Sequence, residues 1–216
     1  MTFLPRIKIC GITSIQDANL AIQNGADAIG FIFVPNTPRY LSINRAQEII
    51  KNCPPFITKV GLFLDPSEQT VWDCLDVLFL DVLQFHGNES QEFCQKFKKP
   101  FVKTIKISKE SSVLSIQEAC ENYSEASAIL LDTYHEKLAG GTGEKFNWSL
   151  FPKDKNYKNN KHFILAGGLN PENIAHAILE TQPYAVDVSS GVENSPGIKS
   201  AEKIQKFCDQ VRSIYK

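Results

Sequence analysis

Short apolar runs alternate along this chain with longer stretches in which apolar positions recur every three or four residues. The first pattern is that of buried β-strands and the second that of amphipathic helices. Strands are predicted over Ile7–Cys10, Ala28–Phe33, Thr58–Leu64, Val82–His86, Val102–Ile107, Ala128–Asp132, Phe163–Gly167 and Ala185–Ser189. Helices are predicted over Ser14–Asn24, Asn44–Asn52, Ser67–Leu75, Glu89–Lys98, Ser112–Tyr123, Pro171–Thr181 and Ser200–Ile214. Ser14 is a helix-starting residue, and Asn170-Pro171 sets a capping amide before a proline in the first turn. Eight strands with a helix after the last match a closed (β/α)₈ TIM barrel in the α/β class. A doubly wound open sheet is the competing architecture, and the lack of a domain break disfavours it. The expectation is therefore one barrel domain over residues 1–216. One connection is irregular: after the sixth strand, positions 133–162 carry no strong helical period, only a glycine cluster, a short Phe146–Phe151 stretch and the polar tract Lys153–Lys161.

Composition narrows the function classes. At 216 residues and 43% hydrophobic, the chain can bury a full core. A formal charge of −1 without a long basic run gives no reason to expect nucleic acid or an anionic membrane as partner. The N-terminus lacks the apolar stretch of a signal peptide and no segment approaches bilayer-spanning length, so a cytoplasmic protein is expected. Six cysteines occur without a Cys-x-x-Cys pair, which supports neither zinc nor dithiol redox chemistry. Cys53, Cys74, Cys94, Cys120 and Cys208 fall in helical stretches and read as small buried hydrophobes. Cys10 ends a strand and does not.

Polar residues inside apolar strands mark the positions facing the barrel interior, because side chains alternate along a strand. Arg6, Lys8 and Cys10 share one face of the first strand, and Gln84 and His86 one face of the fourth. Asp132 ends the sixth strand and Asp187 lies within the eighth. Each has a plainer reading: Cys10 as a packing thiol, His86 as a hydrogen-bonded loop residue, Asp132 as a turn cap. Lone charges inside a small barrel are costly, so Lys8 and Asp187 are expected to pair where the eighth strand closes on the first. Lys8 would then favour the thiolate of Cys10. Phe163-Ile-Leu-Ala-Gly-Gly-Leu169 and Ala185-Val-Asp-Val-Ser-Ser-Gly191 are strands ending in glycine, the arrangement that forms an anion nest, usually for phosphate. A thiol and a carboxyl flanking a small sugar ring, with phosphate held by the glycine loops, suits acid–base chemistry on one substrate. No motif for a metal or a redox cofactor is present.

With these positions in place, the chain resembles the phosphoribosylanthranilate isomerase family. The resemblance rests on Lys8-Ile-Cys-Gly11, Gly30-Phe-Ile-Phe33 with Pro38-Arg39, Gly61-Leu-Phe63, Gln84-Phe-His-Gly87 and Leu130-Leu-Asp132. It continues through Gly140-Gly-Thr-Gly143, Leu165-Ala-Gly-Gly-Leu169 and Asp187-Val-Ser-Ser-Gly-Val-Glu193, in order over nearly the whole chain. The resemblance implies an Amadori rearrangement of N-(5-phospho-β-D-ribosyl)anthranilate in tryptophan biosynthesis. It makes Cys10 the general base and Asp132 the general acid, and requires no cofactor. Asp132 would have to be protonated, so burial or a neighbouring anion should raise its pKa. Arg39 corresponds to the position that holds the anthranilate carboxylate, its plainer reading being a solvated loop cation. His86, Gly167, Gly168, Asp187, Ser189 and Gly191 complete the substrate-binding set. The family includes monomers and dimers, so a monomer or weak homodimer is expected.

Three alternatives stand beside this reading. The phosphoribosyl-formimino isomerase of histidine biosynthesis has similar phosphate loops but an aspartate in place of Cys10. A non-catalytic phosphosugar-binding barrel would have lost the strand-end thiol or carboxyl, and both are present. An interaction module would need a charge run or exposed repeat that the sequence lacks.

Overall fold

Parallel pairing runs from the first strand to the eighth and back to the first, closing a barrel in sequence order. In this computed structural model, residues 4–108, 110–133, 148–152 and 161–214 are described. The strands are β1 Arg6–Cys10, β2 Ala28–Ile32, β3 Thr58–Phe63, β4 Val82–Phe85, β5 Phe101–Ile107, β6 Ala128–Thr133, β7 His162–Ala166 and β8 Ala185–Val188. Closure settles the choice between a barrel and an open sheet, since Arg6, Ile7, Lys8 and Ile9 of β1 stand in register with Ala185, Val186, Asp187 and Val188 of β8.

The helices are α1 Ile15–Gln23, α2 Ile43–Lys51, α3 Glu68–Val77, α4 Gln91–Gln95, α5 Val113–Glu121, α6 Ile174–Thr181 and α7 Ala201–Ser213. Serine hydroxyls at positions 14, 42, 67, 90, 112 and 200 accept a backbone N–H at the start of every described helix but α6. Each such cap stabilises its helix by about 0.5–2 kcal/mol. Asn170 does not cap a helix directly. Its side-chain oxygen accepts from the Glu172 and Asn173 amides in a turn, and α6 begins only at Ile174. Helix α4 is also shorter than its sequence pattern predicts, because Lys98 adopts φ 50° just before Lys99-Pro100 and ends the helical run. In the irregular connection after β6, a 3₁₀ turn covers Trp148–Leu150. The Gly140–Gly143 motif lies outside the described residues.

Strand alternation sorts side chains into two layers. Ile7, Ile9, Leu83, Phe85, Ile129, Leu131 and Val186 face outward into the large core between sheet and helices. A smaller cluster of Val102, Ala128, Leu130, Ile164, Ala166 and Ala185 fills the barrel interior. Cys74, Cys94, Cys120 and Cys208 are buried as expected of small hydrophobes, whereas Cys53 is only half-buried just beyond α2, its thiol directed to the Ile49 carbonyl. Burial pushes the Cys74, Cys94 and Cys120 thiols up to about 12 and Cys208 to about 11, which leaves them unreactive near neutrality.

Candidate active site

At the carboxyl ends of the strands the small interior cluster gives way to an open cavity of about 470 Å³. Its walls hold the expected catalytic and substrate-binding set: Cys10, Arg39, His86, Asp132, Gly167, Gly168, Asp187, Ser189 and Gly191. Cys10 ends β1, Asp132 lies near the end of β6 and His86 follows β4, so backbone pairing positions all three. Strands β7 and β8 separate β6 from β1 on the short way round the ring, and the loops after them complete that side of the mouth.

Beneath the thiol, Lys8 and Asp187 form the expected pair, Nζ to Oδ2 at 2.9 Å, with both side chains 8% exposed. Burial works against the Lys8 ammonium, but Asp187, with a smaller contribution from Cys10, outweighs it and raises its pKa. The consequence for Cys10 differs from the sequence-based expectation. Burial raises the thiol pKa, and the nearby charge of Lys8 offsets this only in part, with Asp187 adding to the rise and Lys199 opposing it. The net direction is upward, so Cys10 is held as a thiol at neutral pH. The second Asp187 oxygen, Oδ1, is buried without a hydrogen-bond partner on the cavity wall.

Across the mouth, His86 Nε2 lies 3.3 Å from Asp132 Oδ2, and the two side chains remain about a quarter exposed, at 24% and 27%. Burial or a neighbouring anion is expected at Asp132 from the sequence, and the neighbour is an imidazole. The loop carrying His86 is braced from behind. Lys103 points outward from β5 and is buried, donating to the Gly87 carbonyl at 2.6 Å and to Glu89 Oε2 at 2.8 Å. Glu89 also accepts the Asp65 and Gly87 amides. Neither Lys103 nor Glu89 was singled out from the sequence. A lysine at an outward strand position signals such a buried brace only once the facing loop is known.

The two glycine-ended strands deliver backbone to one place. Gly167 and Gly168 have φ 86° and 63°, the left-handed region that suits glycine and forms nests. At Gly191 a Cβ atom would lie 1.8 Å from the Leu169 carbonyl oxygen, so glycine is required for the two loops to meet. Ser190–Val192 form a 3₁₀ turn there, and Ser189 Oγ is buried without a hydrogen-bond partner.

Arg39 is not a solvated cation. Its Nε donates to Glu193 Oε1 at 2.7 Å and its Nη2 to Oε2 at 2.6 Å, a bidentate pair at the rim of the cavity. Lys199 Nζ reaches the same carboxylate at 2.8 Å. Burial raises the Glu193 pKa, but hydrogen bonds from Arg39 and Lys199 prevail and hold it below the usual carboxylate value. Glu193 stood in the sequence at the end of a matched segment without an assigned task. The Pro196-Gly197 turn signal, which marks the hairpin β9 Glu193–Ser195 to β10 Ile198–Lys199, points to it. Among the described residues no group of His, Cys, Asp or Glu is arranged to hold a metal ion.

Fold and mouth together define a (β/α)₈-barrel enzyme with its site at the carboxyl ends of the strands. Comparison with known proteins specifies which. A family model described as N-(5'phosphoribosyl)anthranilate (PRA) isomerase matches residues 7–210. N-(5'-phosphoribosyl)anthranilate isomerase of Pseudomonas fluorescens (strain Pf0-1) is 48% identical over 207 residues, covering 96% of this chain and 98% of the relative. The crystal structure of phosphoribosyl anthranilate isomerase from Thermotoga maritima superposes with a TM-score of 0.84 at 38% identity, covering 96% of this chain and 98% of the other. A second crystal structure, of the isomerase with reduced 1-(o-carboxyphenylamino)-1-deoxyribulose 5-phosphate, gives a TM-score of 0.82 at 37% identity and the same coverage. The chain belongs to the N-(5'-phosphoribosyl)anthranilate isomerase family, and is an isomerase of tryptophan biosynthesis.

Proposed function

We propose that the chain acts as one catalytic domain over residues 1–216, converting N-(5-phospho-β-D-ribosyl)anthranilate to 1-(2-carboxyphenylamino)-1-deoxy-D-ribulose 5-phosphate with Cys10 as general base and Asp132 as general acid. The observation that carries this reading is that a thiol and a carboxyl from different strands line one cavity with two converging glycine loops. In the first step the Asp132 carboxyl gives its proton to the ribose ring oxygen, the C1–O bond breaks, and the anilino nitrogen supplies electrons to form a Schiff base. Cys10 then takes the C2 proton, leaving an enolamine that becomes the ketone by gaining a proton at C1 and losing one from the C2 hydroxyl. No net oxidation occurs, so the chemistry calls on acid–base groups alone and no cofactor. After the first step Asp132 is an anion, and the His86 imidazole, its Nε2 3.3 Å from Oδ2, lies beside it.

Binding divides along the same line. Gly167, Gly168, Ser189 and Gly191 take the phosphate, with the unpartnered Ser189 hydroxyl a ready donor to it. Asp187 Oδ1, buried and unpartnered, accepts from a ribose hydroxyl. Arg39 takes the anthranilate carboxylate through the N–H groups that Glu193 leaves over. The protein works in the cytoplasm as a monomer or weak homodimer. No helix among the described residues is long and apolar enough to cross a membrane.

Two measurements test the assignment. Arg39→Ala should raise KM roughly tenfold to a hundredfold, the range for losing a charged hydrogen bond, and change kcat little. An unchanged KM would remove the carboxylate contact. For pH, the sign follows from Cys10: a base acts only when deprotonated and its pKa is raised, so kcat/KM should climb with pH past the ordinary thiol value of about 8.5. A profile already flat from pH 7 upward would assign the base elsewhere.

A further inference from the structure

The Arg39 fork cannot hold a substrate carboxylate with the two nitrogens that Glu193 already occupies. This raises the question of what the buried carboxylate is for. Glu193 is 4% exposed at its side chain and Lys199 0%, so this is an enclosed network and not a surface ion pair. Each oxygen of Glu193 serves two donors: Oε1 takes Arg39 Nε and Lys199 Nζ, and Oε2 takes Arg39 Nη2 and the Gly197 amide at 3.3 Å. Lys199 is itself tied to the Ser189 carbonyl at 3.2 Å, in the loop that follows β8. Burial lowers the Lys199 pKa, with Glu193 opposing the fall. On the other side, the Arg39 stem crosses Gly11 so closely that a Cβ there would lie 2.7 Å from Arg39 Cδ.

The guanidinium is therefore fixed at its stem by Gly11, just after β1, and at its fork by the β9–β10 hairpin, with two cations sharing one anion. We propose that Glu193 is a positioning residue that sets the specificity for an aryl carboxylate. It clamps one edge of the Arg39 guanidinium so that the other edge, around Nη1, meets the substrate carboxylate in a fixed geometry. Lys199 keeps that anion in place and leaves the triad with a net positive charge to attract the carboxylate. The proposal rests on the anthranilate reading of Arg39.

The chemistry of an amide makes the test sharp. Glu193→Gln offers one acceptor and one donor where the carboxylate offers two acceptors, so it cannot satisfy both nitrogens of the fork and Lys199 together. Two ligands are compared in binding titrations with the whole protein: reduced 1-(o-carboxyphenylamino)-1-deoxyribulose 5-phosphate and its counterpart with a plain phenyl ring. E193Q should weaken the carboxylate-bearing ligand about tenfold, the scale of one charged hydrogen bond. It should leave the phenyl ligand within twofold, raise KM with kcat held within threefold, and add nothing in an Arg39→Ala background. Equal weakening of both ligands, no weakening of either, or additive losses with Arg39→Ala would each overturn the proposal. If E193Q does not fold, Glu193→Asp retains the charge for Lys199 but falls one methylene short of the fork, and is held to the same outcomes. Should Arg39→Ala itself fail to discriminate between the ligands, the anthranilate reading of Arg39 falls, a result distinct from failure at Glu193 alone.

Discussion

Cys10→Ser and Asp132→Asn should each lower kcat by about 10²- to 10⁴-fold, the range for losing a general base or acid, while the reduced product analogue should bind with affinity within a few-fold of wild type. Serine is close to isosteric with cysteine, but its hydroxyl is far too weakly acidic to supply a base even with Lys8 and Lys199 nearby. Asparagine keeps the shape of Asp132 beside His86, but it has no carboxyl proton to give to the ring oxygen. The two variants differ in pH behaviour. Asp132→Asn should keep the rise in kcat/KM towards alkaline pH on its residual rate, because Cys10 remains, whereas Cys10→Ser should lose that rise. Stopped-flow fluorescence gives kcat and calorimetry the affinity. Residual kcat within threefold of wild type in either variant would take that residue out of the mechanism.

The second large effect is on stability. Lys8→Met removes one partner of a buried ion pair and leaves Asp187 as an uncompensated anion inside the barrel. Breaking such a pair destabilises by about 3–5 kcal/mol, and in a protein of this size that lowers Tm by about 10 °C. The double variant Lys8→Met/Asp187→Leu should regain much of the loss, because a matched apolar pair carries no desolvation penalty. Equal melting temperatures for wild type and Lys8→Met would mean that water or another cation already serves Asp187.

Strand alternation carries most of what the chain reveals before folding. Arg6, Lys8 and Cys10 on one face and Ile7 and Ile9 on the other follow from the two-residue period alone, as do the inward Gln84 and the outward Leu83 and Phe85. The Lys8–Asp187 pair follows from that period plus closure, because β8 must lie beside β1. Helix lengths are less legible. The Glu89–Lys98 stretch has a helical composition, but left-handed Lys98 and the following Pro100 stop α4 early.

Quantities that depend on several contacts at once cannot be read from spacing. The Cys10 pKa depends on burial against the charges of Lys8, Asp187 and Lys199, and Lys199 lies far along the chain in the β9–β10 hairpin. The same distance hides the Arg39–Glu193 fork: a motif marks both residues but not that they meet. Lys103 and Glu89 are invisible for a similar reason, since a charged residue in a strand or loop reads as solvated until its buried partner is known.

Isomerisation of phosphoribosylanthranilate through Cys10 and Asp132 is the proposed activity. Its most direct test follows the fluorescence of enzymatically generated phosphoribosylanthranilate on addition of wild-type protein and of the two variants. Wild type should give rapid loss of fluorescence, and Cys10→Ser and Asp132→Asn a residual rate lower by about 10²- to 10⁴-fold. Folded wild-type protein that leaves the signal unchanged, or variants that consume substrate as fast as wild type, would contradict it.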